Sequence, residues 1–109
     1  MPHPKKRFHG KRYGNLKENR VHLHGSCKSL KFQMAWVKLE TETQSLPSLL
    51  TMHQRVITNN SRISVVEREG DWLQLKIKDL TPSDQGWYMC QINTDPIVSD
   101  HAFLEVKGL

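Results

Sequence analysis

Few residues in this 109-residue chain have types and spacings that could support chemistry. The two cysteines, Cys27 and Cys90, lie 63 positions apart and could be oxidised to a disulfide. His22 and His24 could place two imidazoles on one strand face, as some metal ligands are placed, but no further cluster completes a tetrahedral set. The sequence has no glycine-rich phosphate loop, no nucleophile elbow and no paired carboxylates. We therefore expect no enzymatic activity, no cofactor and no metal.

The elements that position these residues are predicted to be strands. Apolar and polar residues alternate from Trp72 to Ile77, which places Leu73, Leu75 and Ile77 on one apolar face. Similar short runs, separated by turn residues, predict strands at 21–27, 32–39, 49–52, 56–58, 63–65, 88–90 and 102–106. No stretch keeps a helical period for longer than about one turn. The pattern predicts an all-β sandwich.

The order of three residues narrows the type of sandwich. Cys27 and Cys90 each fall on a predicted inward face, and Trp36 lies between them on another predicted strand. In an immunoglobulin sandwich a disulfide joins the two sheets and a tryptophan packs against it. The sequence therefore predicts an immunoglobulin-like, antiparallel β-sandwich with a disulfide between Cys27 and Cys90.

The residues before the second cysteine fit the same fold. Asp84, Gly86, Tyr88 and Cys90 follow one another at two-residue intervals. Tyr88 is predicted to form a tyrosine corner, in which the hydroxyl bonds to the backbone a few residues upstream. Gly86 would permit a close backbone approach, and Asp84 is placed to pair with Arg62. These residues are predicted to be structural, together with Trp36, Leu75 and Ile77.

Charge is divided unevenly along the chain, although the formal net charge is only +5. Residues 1–38 hold ten of the sixteen Lys and Arg and one acid, whereas the remainder holds six bases and ten acids. We expect a basic, disordered arm at 1–20 and one immunoglobulin-like domain at 21–109. An alternative is that the basic run, with Phe8 and Tyr13 interleaved, binds nucleic acid or acidic polysaccharide on a β scaffold. No apolar run suggests a signal peptide or a transmembrane segment.

The run from Ala35 to Val106 resembles the first, variable-type immunoglobulin domain of the Dpr-interacting proteins. These are arthropod neuronal cell-surface proteins whose relatives include lachesin, amalgam and the vertebrate IgLON proteins. The resemblance is carried by "AWV" (35–37), "LLTMHQRVITNNSRISV" (49–65), "WLQLKIKDL" (72–80) and "DQGWYMCQINTDP" (84–96).

The resemblance implies a non-enzymatic recognition domain at the cell surface. Members of the family bind a partner's first immunoglobulin domain through the sheet face made by the G, F, C, C′ and C″ strands. The implied partners are immunoglobulin-superfamily surface proteins of the Dpr type, or a second copy of the chain, with no nucleic acid and no insertion of this chain into a membrane. The implied contact residues are Leu50, Met52, His53, Val56, Gln91, Asn93 and Asp95.

Three features before Ala35 depart from the family pattern. Cys27 and Trp36 are closer in sequence than the family leads us to expect, Gly25 stands where an apolar residue is usual, and no A strand is evident before Val21. The A strand is therefore expected to be incomplete or divergent. A further alternative is a truncated fragment that does not fold alone.

Asn59-Asn60-Ser61 matches the acceptor sequence for N-linked glycosylation. It falls in a predicted turn. If the chain enters the secretory pathway, we expect Asn59 to be the glycosylated residue.

Overall fold

The computed structural model describes residues 11–15, 19–23, 27, 33–39, 47–69 and 72–107. Within these residues the chain forms nine strands and one short 3-10 helix. The strands are β1 (Lys11–Asn15), β2 (Arg20–Leu23), β3 (Met34–Leu39), β4 (Ser48–Met52), β5 (Arg55–Val56), β6 (Ile63–Arg68), β7 (Trp72–Lys78), β8 (Gly86–Ile92) and β9 (Val98–Lys107), and the helix is Pro82–Asp84.

The strands form two layers that enclose the core. The first layer has the order β5-β4-β3-β8-β9-β1, and the second has the order β2-β7-β6. The layers are linked where Asn15 of β1 pairs with Arg20 of β2. Neighbouring strands are antiparallel, except that β1 runs parallel to β9. This confirms the predicted immunoglobulin-type β-sandwich.

The core forms where the inward faces of the two layers meet. Leu73, Leu75 and Ile77 are fully buried, as the alternation in β7 predicts. Trp36 is also fully buried, lies directly opposite Cys90 across β3 and β8, and donates its indole N–H to the carbonyl of Leu73 at 3.1 Å. The indole therefore ties the first layer to the second through a satisfied hydrogen bond.

A disulfide between Cys27 and Cys90 joins the two layers, with the Cα atoms 6.2 Å apart. The predicted pairing is confirmed, although the predicted strand from 21 to 27 is not. β2 ends at Leu23, residues 24–26 lie outside the described residues, and Cys27 itself is not in a strand. The covalent link, rather than ladder pairing, fixes Cys27 against the core.

The predicted corner forms at the start of β8. Arg62 donates two hydrogen bonds to the Asp84 carboxylate, at 2.6 and 2.8 Å, and the Thr81 N–H donates a third at 2.8 Å. The Tyr88 hydroxyl donates to the Asp84 carbonyl. Burial alone raises the pKa of Asp84, but the hydrogen bonds and charge of Arg62 and the Thr81 N–H bring that pKa below its ordinary value.

Gly86 occupies a backbone conformation that favours glycine, with φ at +151°. A Cβ atom added there would lie 3.3 Å from Cε of Lys38 and 3.7 Å from the carbonyl oxygen of Leu39. The predicted close approach at Gly86 is therefore present, between the start of β8 and the end of β3.

The N-terminal boundary differs from the sequence expectation. β1 pairs with β9 along its whole length, from Lys11↔Phe103 to Asn15↔Lys107, so this part of the predicted arm is a strand of the first layer. The sequence "KRYGN" gave no strand signal because it has no apolar alternation, and its pairing depends on backbone contacts with a distant strand. Residues 1–10 lie outside the described residues.

Candidate functional site

The first layer has an outward surface whose residues follow from the strand period. On β8, Tyr88 and Cys90 point into the core, so Trp87, Met89 and Gln91 point outward and are half-buried. Four strands therefore present a broad surface away from the core: β4, β3, β8 and β9.

The centre of this surface is formed by β3. Ala35, Val37 and Leu39 are at most 5% exposed, yet they do not belong to the core cluster between the layers. They are covered instead by side chains on the same face of the neighbouring strands. Their paired neighbours are Met52 and Leu49 on β4, and Gln91, Met89 and Trp87 on β8.

Aromatic side chains extend the same surface towards β9. Phe103 lies directly opposite Trp87, and their ring centroids are 5.4 Å apart in an edge-on arrangement. The ring of His101 lies 5.6 Å from that of Trp87. Edge-on pairs of this kind hold both rings in a fixed arrangement. The aromatic part of the surface is therefore preorganised.

We call this surface the outer face. It comprises Ala35, Val37, Leu39, Leu49, Met52, Trp87, Met89, Gln91, His101 and Phe103. Within this set only His101 is titratable. Seven of the ten side chains are aliphatic, thioether or phenyl groups, and an eighth, Trp87, is apolar except for its indole N–H. The arrangement can bury apolar surface against a partner.

Two shallow depressions adjoin the outer face at the ends of β3 and β4. One, of about 170 Å³, is lined by Gln33, Ala35, Met52, Gln91, Ile92, Asn93 and Ile97. The other is lined by Gln33, Leu49, Met52, His53, Gln54, Arg55 and Ile57. Gln33 and Met52 line both depressions, so the two depressions adjoin each other at these residues. A partner side chain could enter on either side of Met52.

The sequence pattern of the immunoglobulin V-set domain matches residues 17–107. The chain belongs to the immunoglobulin V-set family. Comparison with curated protein sequences gave no match.

Solved structures similar to this V-set domain contain first immunoglobulin domains. It is 32% identical, with a TM-score of 0.73, to a chain in the structure of Dpr1 IG1 bound to DIP-eta IG1, covering 94% of this chain and 91% of that chain. It is 28% identical to the RIG-5 IG1 homodimer, with a TM-score of 0.67 and coverages of 98% and 94%. It is also 28% identical to DIP-gamma IG1+IG2, with a TM-score of 0.73, covering 95% of this chain and 47% of that chain. The resemblance drawn from the sequence is thereby confirmed.

Six of the seven contact residues expected from the sequence fall in three places in the V-set domain. Met52 and Gln91 lie on the outer face itself. His53 is half-buried in the turn after β4, and Val56 is exposed on β5. The remaining two, Asn93 and Asp95, are exposed in the turn between β8 and β9.

The prediction for Leu50 is wrong, because this residue is 6% exposed and packs in the core. The cause is a β-bulge in β4. Trp36 pairs with Thr51 and the next residue, Val37, pairs with Leu49, so Leu50 is the extra residue and turns inward. Leu49, which is 39% exposed, takes the outward position.

His53 has an unusual environment for a turn residue. Its φ is +57°, and its backbone N–H donates to the carbonyl of Met34. Its Nδ1 atom is buried and has no hydrogen-bond partner within the described part of the chain. The side chain borders the second depression.

Eight residues of the outer face were missing from the sequence-based contact set, and four of them are the half-buried side chains on β8 and β9: Trp87, Met89, His101 and Phe103. The signal was present in the sequence. Once Tyr88 and Cys90 are assigned to the core, the period of two places Trp87 and Met89 on the opposite face. The contact set was instead taken from the family resemblance, which implied several turn residues: His53, Asn93 and Asp95.

The described residues of the V-set domain contain no group of three or more histidine, cysteine, aspartate or glutamate side chains that could hold a metal ion. His22 is described and lies on β2, whereas His24 lies outside the described residues. Burial, followed by the charges of Arg68, Lys76 and Arg20, lowers the pKa of His22. In the same part of the chain, no helix combines the length and apolarity needed to cross a bilayer.

Proposed function

We propose that this V-set domain is a non-enzymatic recognition domain that binds another immunoglobulin-domain protein through the outer face. The observation that carries the proposal is the composition of that face, with aliphatic side chains at its centre and Trp87, Met89 and Phe103 beside them. The centres of protein interfaces are poor in charge and enriched in aromatic residues and methionine. The outer face has this composition.

The distribution of exposed apolar residues supports the same surface. In the described part of the chain, every large hydrophobic residue that is exposed lies on the first layer or in its turns: Leu49, Val56, Ile57, Ile97 and Val98. On the second layer, Ser64 pairs with Lys76 and Val66 pairs with Gln74 on the outward side. Apolar exposure confined to one side of a domain marks an interaction surface.

The class of partner is supported by the similar structures. One contains Dpr1 IG1 bound to DIP-eta IG1, and another is a homodimer of RIG-5 IG1. We propose that this domain binds an immunoglobulin-superfamily surface protein, with a second copy of the chain as the alternative occupant of the same face. The contact residues would be the exposed and half-buried members of the outer face together with His53, Val56, Asn93 and Asp95, whereas Ala35, Val37 and Leu39 are covered by their neighbours.

An extracellular location fits the covalent structure. The Cys27–Cys90 disulfide is buried between the layers, and such bonds persist in oxidising compartments. We therefore propose that the domain acts outside the cell or at its surface.

Binding to first immunoglobulin domains of Dpr and DIP proteins, and self-association in the ultracentrifuge, would test the proposal. Met89→Asp places a carboxylate at the centre of the outer face, and we expect it to weaken association at least about tenfold because the charge must be desolvated. Val66→Asp is the matched control, since it introduces the same charge on the outward side of the second layer. We expect binding by this variant to match that of the wild type.

The proposal would be overturned if Met89→Asp and Val66→Asp bound alike while circular dichroism showed both folded. It would also fail if the chain neither self-associated nor bound any of these domains. The salt dependence of binding distinguishes this proposal from the alternative that the basic segment binds nucleic acid or acidic polysaccharide. Binding to such polyanions would weaken steeply as the salt concentration rises. Binding through the outer face should change little.

A further inference from the structure

In the turn between β5 and β6, hydrogen bonds fix Asn60, whereas its two neighbours, Asn59 and Ser61, are accessible for modification. Asn60 is half-buried, its N–H donates to Oγ1 of Thr58 at 3.2 Å, and its Oδ1 accepts the N–H of Arg62 at 3.0 Å. Asn59 and Ser61, on either side, are exposed, and within the described residues neither side chain makes a hydrogen bond. The turn therefore keeps its shape without them.

These two free side chains form a pair that has a known chemistry. Asn59 and Ser61 are the asparagine and hydroxyl positions of an N-x-S acceptor sequence, and the intervening residue is not proline. None of the chain's other asparagines is followed two positions later by serine or threonine. The asparagine and serine of the acceptor sequence are thus two exposed residues of the turn. Asn60, which makes the hydrogen bonds of the turn, lies between them.

We infer that Asn59 is a site of N-linked glycosylation. The amide nitrogen of Asn59 would bond to C1 of the first sugar of a polyprenol-pyrophosphate-linked oligosaccharide. The bond from C1 to the pyrophosphate oxygen breaks, the polyprenol pyrophosphate leaves with the bonding electrons, and the nitrogen loses one proton. Attachment of a glycan to the Asn59 amide nitrogen breaks none of the described hydrogen bonds of the turn.

The topology indicates what the glycan would cover. β5 is the last strand of the first layer and β6 is the last strand of the second, so the turn joins the two open edges of the sandwich. Unpaired edge strands can add strands from other molecules, and proteins protect them by covering or charging them. A glycan on Asn59 would stand at this lateral edge beside Ile57, which is 43% exposed and borders the second depression.

The test uses the full chain directed into the secretory pathway of a eukaryotic cell, recovered from the medium or from the endoplasmic reticulum. We expect an intact mass above the 12.7 kDa of the polypeptide, which falls after treatment with peptide N-glycosidase and leaves aspartate at position 59 in peptide maps. Asn59→Gln and Ser61→Ala should each abolish the mass increase. Ser61→Ala keeps the asparagine and removes only the hydroxyl that the acceptor sequence requires. Asn15→Gln, outside any acceptor sequence and outside the proposed contact residues, should keep the mass increase.

Folding is checked separately by showing that Cys27 and Cys90 are linked in each preparation. A wild-type chain with the intact disulfide and the bare polypeptide mass would overturn the inference. So would a glycan that persists in Ser61→Ala. The protective role at the edge fails if Asn59→Gln and Ser61→Ala aggregate no more than the glycosylated wild type. These outcomes do not depend on whether the outer face binds a partner.

Discussion

At the scale of single residues, the Arg62–Asp84 pair stabilises the corner that begins β8. The side chain of Asp84 is 6% exposed and that of Arg62 is 23% exposed, so the pair is only partly screened by solvent. Removing one partner leaves a buried charge without compensation, which costs more than the pair contributes in its intact form. The same carboxylate accepts the Thr81 N–H, so the pair also holds the short helix before β8.

The pair predicts how stability depends on pH. Because the pKa of Asp84 is lower in the folded state than in the unfolded state, the unfolded chain binds more protons in the window between the two values. The contribution is fully present above about pH 4, close to the ordinary aspartate value, and is lost as pH falls through the folded pKa. We expect Arg62→Ala to lower the free energy of unfolding by about 3 kcal/mol at neutral pH.

Urea unfolding of the wild type, Arg62→Ala and Asp84→Asn at neutral and acidic pH would measure this effect. Asp84→Asn has no carboxylate at this position, so its stability should fall less than that of the wild type on acidification. Arg62→Lys keeps the charge but loses the two-pronged geometry, and it should lie between the wild type and Arg62→Ala. An equal acid dependence in the wild type and Asp84→Asn would contradict the assignment.

At the scale of elements, the bulge in β4 separates two adjacent leucines that have the same chemistry. Leu50 faces the core and Leu49 faces out beside Val37. The bulge is also held from the other side, since the carbonyl of Leu50 accepts the N–H groups of Ile57 and Thr58. One residue type therefore serves stability at one position and the outer face at the next.

Leu50→Ala and Leu49→Ala form a matched pair that tests this division. Leu50→Ala should lower the free energy of unfolding by about 2–4 kcal/mol, because it opens a cavity in the core. Leu49→Ala should change stability by less than about 0.5 kcal/mol, and, if the outer face binds a partner, it should weaken that binding. Chemical denaturation and binding measurements on both variants would check the prediction. Equal losses of stability in the two variants would show that the bulge does not place Leu50 in the core and Leu49 on the outer face.

Strand alternation predicted the elements whose pairing is regular. It assigned Leu75 and Ile77 to the core, the spacing of Tyr88 and Cys90 predicted the corner, and the order of Cys27, Trp36 and Cys90 predicted the disulfide. Strand alternation did not indicate the bulge in β4, and the contact role that the family resemblance implied for Leu50 was wrong because the bulge turns this side chain inward. Strand alternation also failed for β1, whose parallel pairing with β9 joins segments far apart in sequence and leaves no local pattern.

At the scale of the whole molecule, the two layers differ in their outward surfaces and depend on each other for stability. The first layer carries the apolar outer face, whereas the second presents mainly polar side chains outward. Only the inner side of the first layer packs against the second layer, so the apolar residues on its outer side add nothing to the packing between the layers. The link between the layers is therefore expected to contribute strongly to the fold.

The Cys27–Cys90 disulfide provides that link, and both of its residues are buried. Closing a loop of this length restricts the unfolded chain, and on the chain-entropy account it contributes roughly 4 kcal/mol. We expect Cys27→Ala with Cys90→Ala to lower the free energy of unfolding by about that amount, a large share of the 5–15 kcal/mol typical of a domain. The denaturant dependence of that free energy should also increase, because the unfolded chain exposes more surface without the cross-link.

Urea unfolding of the double variant and of the oxidised wild type would test this, with the wild type unfolded in reductant as a second comparison. The reduced wild type should unfold at nearly the same denaturant concentration as the double variant, since both lack the cross-link and differ only by two buried sulfur atoms. A stability loss below about 1 kcal/mol, without a change in denaturant dependence, would show that the layers hold together by packing alone. A double variant that is unfolded without denaturant would instead show that the cross-link contributes nearly all of the domain's net stability.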